Sequence, residues 1–369
     1  MSPPTLLHIY PTFAVGGAQA RFASIANHFG KRWHHAIVAL DGQTSCRERL
    51  DPGLDVSFPE IETRKGDLRG NLGRYRAALR EIRPQTLITA NWGAIEWDMA
   101  NAINPLAGHL HVEDGFGPEE RNTQLPRRVY TRRLVLRRCT TVLPSRNLLR
   151  IATDIWKLPK RRLRYIPNGI DLARFQPQPH RVKDVPVIGT VAALRAEKNI
   201  GRLLRAAALV VDLPWRLVII GDGAERGMLE ALAASLGIAQ RVAFMGHQGE
   251  PSRLIADLDI FAMSSDTEQM PISLLEAMAS GVAVAATDVG DIRAMLPPQS
   301  QGYVTACDDA ALASALRALL SEAPARFAAG AANHARAVAD FGQQAMFDAY
   351  AALFDLAHDE PARMRVARG

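Results

Sequence analysis

Residues 268–281 read Glu-Gln-Met-Pro-Ile-Ser-Leu-Leu-Glu-Ala-Met-Ala-Ser-Gly, and this stretch predicts a short helix. Pro271 can open the helix, because a proline at the first helical position lacks an N–H that would have no partner there. Gly281 stands where helices commonly end on a left-handed residue. The amino end of the helix therefore lies near Pro271, where free backbone N–H groups and the helix dipole attract an anion such as a phosphate.

Two glutamates flank this predicted anion site. The free N–H groups belong to Ile272, Ser273 and Leu274. Glu276 lies about one turn inside the helix, and Glu268 lies on the loop before it. Carboxylates accept hydrogen bonds from hydroxyls, so a sugar on one side of the phosphate and a ribose on the other would fit. A nucleotide sugar is the simplest ligand with that layout, although two glutamates at this spacing also occur on solvated helices.

The segments on either side of the helix, 259–264 and 282–286, have the apolar character of strands. Similar short apolar runs recur along the chain, with amphipathic segments such as 18–29 and 72–82 between several of them. We expect strands at 6–10, 36–40, 54–58, 86–90, 109–112 and 141–143, and again at 187–191, 217–220, 242–245, 260–263 and 282–285. Strands that alternate with helices predict a parallel sheet, which binds ligands at the carboxyl ends of its strands.

This alternation occurs in both halves of the chain, so we expect an α/β fold with two doubly wound domains. The boundary is expected at Pro167-Asn168-Gly169 and the proline-rich segment 176–186. We assign residues 1–168 to the first domain and 169–340 to the second. Residues 341–369 are expected to form a helical segment that packs back on the first domain.

The composition is that of a globular protein, with 48% hydrophobic and 22% charged residues in a chain of 369. No apolar stretch approaches the roughly 18 residues that a membrane-spanning helix requires, and no secretion signal is apparent. Cys46, Cys139 and Cys307 are isolated, so we expect a cytoplasmic protein with neither disulfides nor a metal site. The net charge of +6 fits phosphorylated substrates, anionic membranes and nucleic acids alike.

Two further segments could contact a phosphorylated ligand. Gly16 and Gly17 follow the first predicted strand, where they either let a ligand approach the backbone or form an ordinary turn. Arg195 and Lys198 follow the first strand of the second domain and could neutralise a diphosphate, although a surface lysine is usually solvated. The chain has no GxxxxGK[ST] P-loop, and after Gly221-Asp222-Gly223 the third glycine position of GxGxxG is occupied by Arg226, which makes a dinucleotide fingerprint unlikely.

Two segments of the first half are polar or basic. His109, His111 and Glu113 share one face of a predicted strand, where they could act as general acids and bases or form a buried hydrogen-bonded group. The segment 127–138 holds six arginines interleaved with apolar residues. It could lie on an anionic membrane surface. The alternative is a solvated helix, because the arginines spread around its circumference instead of forming a stripe.

Taken together, these segments resemble the retaining glycosyltransferases of family four, the glycosyl transferases group 1, over nearly the whole chain. Most specific is the Glu268/Glu276 pair within its Pro–Leu-Glu-Ala-Met-Ala–Gly frame. Individually weaker elements follow in the right order along the chain, namely Gly16-Gly17, Ile166-Pro167-Asn168-Gly169-Ile170-Asp171, Glu197-Lys198, Gly221-Asp222-Gly223 and Val242-Ala243-Phe244-Met245-Gly246. The resemblance implies the GT-B fold, in which two Rossmann-like domains face a central cleft.

The resemblance also implies a nucleotide-diphosphate sugar as donor, bound mainly by the second domain. Glu276 would hold the ribose, Glu268 the transferred sugar and Lys198 the diphosphate, while His111 would contact the transferring sugar. We take Glu268, His111 and Lys198 as candidate catalytic residues. The candidate donor-binding residues are Gly16, Gly17, Arg195, Lys198, Met270, Pro271, Ile272, Ser273 and Glu276. Transfer would retain the anomeric configuration without a metal or cofactor, since the leaving diphosphate helps to deprotonate the acceptor.

The expected role is hexosyl transfer to a glycan or lipid-linked acceptor in cell-surface polysaccharide biosynthesis, at the cytoplasmic face of a membrane. Three positions depart from the family pattern. Ala193 replaces an arginine that Arg195 could substitute for, and Gln269 and Asp291 each replace a glycine near the sugar pocket. A nucleotide-sugar epimerase and a non-catalytic nucleotide-sugar binder are the alternatives. A nicotinamide oxidoreductase and a nucleic-acid-binding protein are disfavoured, since neither has its motif here.

Overall fold

The protein is described by a computed structural model over residues 3–120, 123–179 and 182–366. These residues divide into two units. The first comprises the chain up to Pro167 together with the part from Gln344 onward, and the second runs from Asn168 to Gln343. The sequence-based boundaries lie at 168/169 and 340/341. Residues 180 and 181 of the predicted linker, and 367–369 of the predicted C-terminal segment, lie outside the described residues.

In the described part of the first unit, seven parallel strands form one sheet in the order β3-β2-β1-β4-β5-β6-β7. They are β1 (Thr5–Tyr10), β2 (His34–Ala39), β3 (Val56–Ser57), β4 (Thr86–Ala90), β5 (Gly108–Val112), β6 (Thr140–Leu143) and β7 (Leu163–Tyr165). The helices that connect them are α1 (Gly17–Phe29), α2 (Leu68–Ile82), α3 (Ile95–Ala102), α4 (Pro126–Val135) and α5 (Arg146–Asp154).

Both faces of this sheet are covered. Leu6 of β1 packs in a core cluster with Ile25 of α1, whereas its neighbour Leu7 packs on the other face with Tyr75 of α2. Successive side chains of a strand point to opposite faces, so a strand covered on both sides must be apolar at successive positions. The continuous apolar runs in the sequence therefore have a direct physical cause.

In the described part of the second unit, six parallel strands form a sheet in the order β10-β9-β8-β11-β12-β13. They are β8 (Val187–Val191), β9 (Arg216–Ile220), β10 (Val242–Gly246), β11 (Ile260–Met263), β12 (Ala283–Thr287) and β13 (Val304–Thr305). The helices are α6 (Ile200–Ala208), α7 (Arg226–Ser235), α8 (Ser252–Ala256), α9 (Ile272–Ala279), α10 (Ile292–Met295), α11 (Asp309–Ser321) and α12 (Ala323–Asp340). β11 is buried on both faces, with Ile260 in one core cluster and Phe261 in the other.

The predicted α/β fold with two parallel sheets is confirmed, and the strands that the sequence predicts are present. The differences lie at the sheet edges. β7 and β13 were not predicted, and the strand expected at 54–58 is only two residues long, Val56–Ser57. Edge strands are short and have one side unpaired, so their sequences carry less of the apolar pattern that marks a central strand.

The last helix, α13 (Gln343–Val366), supplies part of the core of the first unit. Met346, Phe347 and Phe354 pack in the same buried cluster as Leu6 and Ile88 from the sheet. The polypeptide therefore returns to the first unit after completing the second, and the core of the first unit depends on both ends of the chain.

In each unit the strand order reverses at one point, between β1 and β4 in the first sheet and between β8 and β11 in the second. On either side of such a point the connections leave in opposite directions. This leaves a crevice at the carboxyl ends of the two strands, which is where open α/β sheets bind ligands. The loops after β8 and β11 are therefore the first place to look for a site in the second unit.

The backbone of α12 packs closely against the C-terminal end of helix α9. Gly281 follows α9 with a φ of 70°, the left-handed conformation predicted for it. A Cβ on Gly330 of α12 would lie 2.1 Å from the Gly281 carbonyl oxygen. Helix α12 can approach the end of α9 this closely only because residue 330 has no side chain.

Replacing Gly330 with alanine is expected to destabilise the second unit, although alanine is the better helix former. Overpacking in a close-packed interior costs about 1–3 kcal/mol, which exceeds the gain of about 1 kcal/mol in helix propensity. The matched control is Gly73→Ala in α2, where a Cβ would meet nothing within 4 Å. Urea unfolding should give a lower free energy of unfolding for Gly330→Ala and an equal or higher one for Gly73→Ala. Equal effects of the two substitutions would contradict this packing.

Candidate functional site

The loops at the reversal point of the second sheet bring together two of the predicted residues. Lys198 follows β8 and Glu268 follows β11, and the lysine Nζ donates a hydrogen bond of 2.6 Å to Glu268 Oε1. The Ser265 hydroxyl donates to the same oxygen at 2.7 Å. The Lys198 side chain is 26% exposed and that of Glu268 is 9% exposed. The ion pair is thus largely buried, and its lysine is the more accessible of the two side chains to a ligand.

Helix α9 has one partly exposed face. Pro271 is its N-cap, and the helix runs from Ile272 to Ala279. Ile272, Ser273 and Glu276 are partly exposed, whereas the other five residues of the helix are buried. Positions separated by three and four residues lie on one face of a helix. The three helical residues predicted to bind the donor therefore form one accessible face, and the amide groups of the first turn lie at its amino end.

Met270 and Pro271, at the start of α9, have buried side chains. Met270 packs in the core cluster under α9. Its carbonyl oxygen accepts a hydrogen bond of 2.8 Å from Asn168 Nδ2. The predicted role of these two residues in donor binding stays a prediction. They fix the start of α9, and Asn168, which the sequence marked only as part of the domain junction, anchors that start.

Gly290 and Asp291 support the Glu268 loop from the end of β12. Gly290 has a φ of 59°, and a Cβ there would lie 2.2 Å from the Glu268 carbonyl oxygen. The Asp291 N–H donates to the Gln269 carbonyl at 2.9 Å. Residue 290 must therefore be glycine for the Glu268 loop to keep this position. The sequence showed Gly290 but gave no sign of the backbone that it contacts.

The loop after β8 rests on glycines in the same way. A Cβ on Gly221 would lie 1.9 Å from the Ala192 carbonyl oxygen, and one on Gly223 would lie 2.4 Å from that of Leu194. These glycines therefore admit the backbone of the loop. Arg195 is exposed at the start of the turn 196–198. It forms no ion pair among the described residues, so its guanidinium is open to solvent and to an incoming anion.

In the first unit, Gly16 and Gly17 open helix α1 directly after the first strand, as predicted. Gly16 is the N-cap and has extended backbone angles, φ −161° and ψ 172°. A Cβ on it would meet only the end of the Gln19 side chain, at 2.7 Å. The backbone therefore does not by itself require glycine at position 16, and the predicted ligand contact of this loop stays a prediction.

His111 on β5 belongs to a buried ionic group. Its Nδ1 lies 3.1 Å from Asp98 Oδ1 and its Nε2 lies 3.7 Å from Glu113 Oε2. His109 on the same face also contacts Asp98, at 2.8 Å. Burial alone would lower the pKa of His111, but the carboxylates of Asp98 and Glu113 outweigh it and raise this pKa to about 9.

The His111 side chain is fully buried, and its predicted contact with a transferred sugar stays a prediction. The Cys139 thiol also lies beside this group. The sequence gave no indication of this contact, because position 139 is far from the other members of the group along the chain. One ligand atom from each of Asp98, His109 and Cys139 lies within 4.8 Å of the others. Asp98 already accepts a hydrogen bond of 2.6 Å from Thr89 and contacts both histidines, so we interpret the group as an ionic network of the core.

The arginines of segment 127–138 divide into two sets. Arg132 is buried, where it donates to Glu120 at 2.9 Å and lies against the rings of Trp92, Phe116 and Trp156. Arg128 pairs with Glu119 and Glu120. The exposed set is Arg127, Arg133, Arg137 and Arg138, together with Tyr130 and Leu134, which are 64% and 56% exposed. Among the described residues, no helix has the length and apolar character that a membrane span requires.

Comparison with known proteins identifies the family. The profile of Glycosyltransferase Family 4 matches residues 15–174. The profile of Glycosyl transferases group 1 matches residues 173–336, which contain both the Lys198–Glu268 pair and α9. The chain belongs to the group 1 glycosyltransferases. Its two parallel-sheet units are those of the GT-B fold.

Individual relatives match this glycosyltransferase over part of its length. The lipopolysaccharide core biosynthesis glycosyltransferase LpsE of Rhizobium meliloti is 29% identical over 168 residues, 45% of this chain and 49% of its own. The D-inositol 3-phosphate glycosyltransferase of Corynebacterium urealyticum is 33% identical over 193 residues, 46% of this chain and 45% of its own. The chain spans about half the length of these curated relatives.

A solved structure is similar to this glycosyltransferase over nearly all of both chains. HepE of Anabaena, in complex with UDP-glucose, superposes with a TM-score of 0.80 at 17% identity, over 95% of this chain and 99% of its own. At this level of identity the similarity concerns the fold.

The ionic group around His111 predicts that the first unit loses stability as the pH rises. The unfolded histidine has a pKa near 6.5 and the folded one about 9, so its contribution is complete below pH 6.5 and is lost as the pH rises through 9. We expect a loss on the order of 1–3 kcal/mol in the free energy of unfolding. Urea unfolding followed by tryptophan fluorescence reports mainly the first unit, which holds four of the five tryptophans.

Urea unfolding of the His111→Gln variant over the same pH range tests whether His111 causes this loss of stability. We expect its stability to change less between pH 6.5 and 9 than that of the wild type. The exposed His247, replaced in His247→Gln, serves as the control and should leave the wild-type pH dependence unchanged. A His111→Gln variant with the wild-type pH dependence would contradict the role of this histidine.

Proposed function

We propose that this protein transfers a hexosyl group from a nucleotide-diphosphate sugar to a hydroxyl of a glycan or lipid-linked acceptor, with retention of the anomeric configuration. The observation that carries the proposal is the meeting of Lys198 and Glu268 beside the amino end of α9, at the reversal point of the second sheet. This arrangement supplies positive charge for a diphosphate and two carboxylates, those of Glu268 and Glu276, for hydroxyl groups.

The diphosphate would lie at the amide groups of Ile272 and Ser273, where the helix dipole and free N–H groups favour negative charge. Lys198 and the exposed Arg195 would complete its neutralisation. The bond from the anomeric carbon to the phosphate oxygen breaks and a bond to the acceptor oxygen forms on the same face. The acceptor proton passes to the leaving phosphate. Positive charge fixed beside the departing anion lowers the barrier to this step.

Lys198 would exchange partners when the donor binds. Without ligand its ammonium group is neutralised by Glu268 at 2.6 Å. A diphosphate carries more negative charge than one carboxylate and would attract the lysine more strongly. Glu268 would then be free to accept hydrogen bonds from hydroxyls of the transferred sugar, while Ser265 continues to hold its Oε1. The ion pair thus holds both side chains in place until the donor binds.

Similar proteins support the chemical class of the ligands. The structure of HepE contains UDP-glucose, which is a nucleotide-diphosphate sugar. LpsE takes part in lipopolysaccharide core biosynthesis. We therefore propose a role in cell-surface polysaccharide biosynthesis. No side chain of the proposed mechanism acts through a metal, so we expect transfer without one.

The exposed face of α4 supports a proposed association with an anionic membrane. Arg127, Tyr130 and Leu134 of α4 follow each other at intervals of three or four residues with Arg133 beside them, and Arg137 follows in the helical turn 136–138 directly after α4. Such spacing places side chains on one face of a helix. Arginines can pair with anionic lipid headgroups while the tyrosine and leucine enter the interface. This would hold the protein at the cytoplasmic face of the membrane, close to a lipid-linked acceptor.

Replacing Glu276 with alanine tests the donor site. We expect the best-bound of UDP, GDP and ADP to bind about 10- to 100-fold more weakly, which corresponds to hydrogen bonds worth about 1.5–3 kcal/mol. Calorimetry in buffer that contains EDTA measures this and also tests metal-independent binding. The exposed Glu230 on α7, replaced in Glu230→Ala, is the control. Wild-type affinity in Glu276→Ala would mean that the nucleotide binds elsewhere, and no binding by the wild type would contradict the proposed function.

Replacing Arg133 and Arg137 with serine should weaken binding to vesicles that contain anionic lipid, by about 1 kcal/mol for each charge. The control double variant Arg150→Ser/Arg161→Ser removes the same charge from other exposed positions of the first unit. Sedimentation with vesicles of phosphatidylglycerol and phosphatidylcholine provides the measurement. Equal losses in both double variants would indicate a general charge effect, and the proposed role of the α4 face would then fail.

A further inference from the structure

The proposed site is built from two loops that the sheet itself does not hold together. Lys198 lies on the loop after β8 and Glu268 on the loop after β11. The ladder between these strands pairs only Ile260 with Ile188 and Phe261 with Gly189. It therefore ends before either loop begins, and other contacts must set the distance between the lysine and the glutamate.

A second ion pair, outside the proposed ligand contacts, joins the two loops. Arg202 lies in the first turn of α6, directly after the Lys198 loop. Its Nη1 donates to the Ser264 carbonyl at 2.7 Å, and its Nη2 lies 2.7 Å from Asp266 Oδ1. One guanidinium group thus contacts both the backbone and a side chain of the Glu268 loop. Its planar fork of donors suits this double contact.

Asn199 and the backbone complete the connection. Asn199 has left-handed backbone angles, φ 43° and ψ 51°, and its Nδ2 donates to Asp266 at 3.1 Å. The Asp266 N–H donates to the Glu197 carbonyl at 2.9 Å. The Ser264 hydroxyl donates to the Lys198 carbonyl at 3.1 Å. Glu197, Lys198 and Asn199 are therefore each hydrogen-bonded to the Glu268 loop, through either the backbone or the side chain.

We infer that Arg202 and Asp266 are a positioning pair, which holds Lys198 and Glu268 at their working distance while the donor is bound. The inference rests on the proposed function. In the absence of ligand the loops are also joined by the Lys198–Glu268 ion pair itself. Once Lys198 turns to the diphosphate, that link is lost. The Arg202–Asp266 pair does not take part in the exchange, so it keeps the two loops in register at the moment of transfer.

The burial of the pair fits this role. The side chains of Arg202 and Asp266 are 9% and 10% exposed, so solvent screens their attraction little. Arg205 of the same helix also donates two hydrogen bonds, both to Asp309, and this pair joins α6 to α11 away from the site. Its side chains are 41% and 35% exposed. The chain thus contains a comparable ion pair on one helix that does not connect the two loops.

The test compares Asp266→Asn and Arg202→Met with Arg205→Met in the full-length protein. For each variant we would measure melting temperature, affinity for the best-bound nucleotide diphosphate, and steady-state release of that nucleotide from its sugar donors. Misplacement of reacting groups by about 1 Å can cost about 100-fold in rate. We expect Asp266→Asn and Arg202→Met to lower kcat by about 10- to 100-fold while donor KM changes less than about 3-fold.

Arg205→Met should keep the wild-type kcat. The kcat of Arg202→Lys should lie between those of the wild type and Arg202→Met, because lysine keeps the charge but cannot contact both Ser264 and Asp266. Arg202→Lys also serves where a more severe variant fails to fold. A wild-type kcat in Asp266→Asn, or an equal loss in Arg205→Met, would overturn the inference. If the wild type binds no nucleotide and releases none from any donor, the proposed function fails first, and the inference with it.

Discussion

The meeting of a cation and a carboxylate at the reversal point of the second sheet determines the rest of the site. Lys198 and Glu268 are 70 positions apart in sequence, and they lie 2.6 Å apart because β8 and β11 are neighbours in the sheet. A parallel sheet directs the ends of adjacent strands to the same edge. Two charges placed there without each other would be costly to bury, whereas together they form a site that is charged and stable before a ligand binds.

The surrounding structure serves mainly to keep these two loops in place. Glycines at positions 221, 223 and 290 admit backbone where a side chain would collide. Asn168 anchors the start of α9 through the Met270 carbonyl. The site is thus held by close backbone contacts and by ion pairs set back from the ligand, which is how a rigid arrangement of reacting groups is maintained.

Sequence alone predicted most of this fold, and the reason is physical. A strand covered on both faces must be apolar along its length, so the central strands could be located from composition within a residue or two. The helix after Glu268 could be located from Pro271 and Gly281, because both residues act locally on the backbone. Ile272, Ser273 and Glu276, which the sequence proposed as donor-binding residues, are the partly exposed residues of this helix.

Contacts between distant segments could not be predicted in this way. The sequence placed His111 and Glu113 on one strand face, either as general acids and bases or as a buried group, but nothing in a period-two pattern marks the helix that supplies Asp98. Arg132 looked like part of a basic surface, although Glu120 and three aromatic rings hold it in the interior. In both cases the partner comes from another element, and a single sequence carries no signal of that pairing.

The most direct test is a crystal structure of the protein with the nucleotide diphosphate that it binds most tightly. We expect the phosphates at the amide groups of Ile272 and Ser273, with Lys198 Nζ within hydrogen-bond distance of a phosphate oxygen and no longer 2.6 Å from Glu268. Glu268 should still accept the hydrogen bond from Ser265. A nucleotide bound away from the start of α9, or bound there while Lys198 keeps its contact with Glu268, would contradict the proposed exchange of partners.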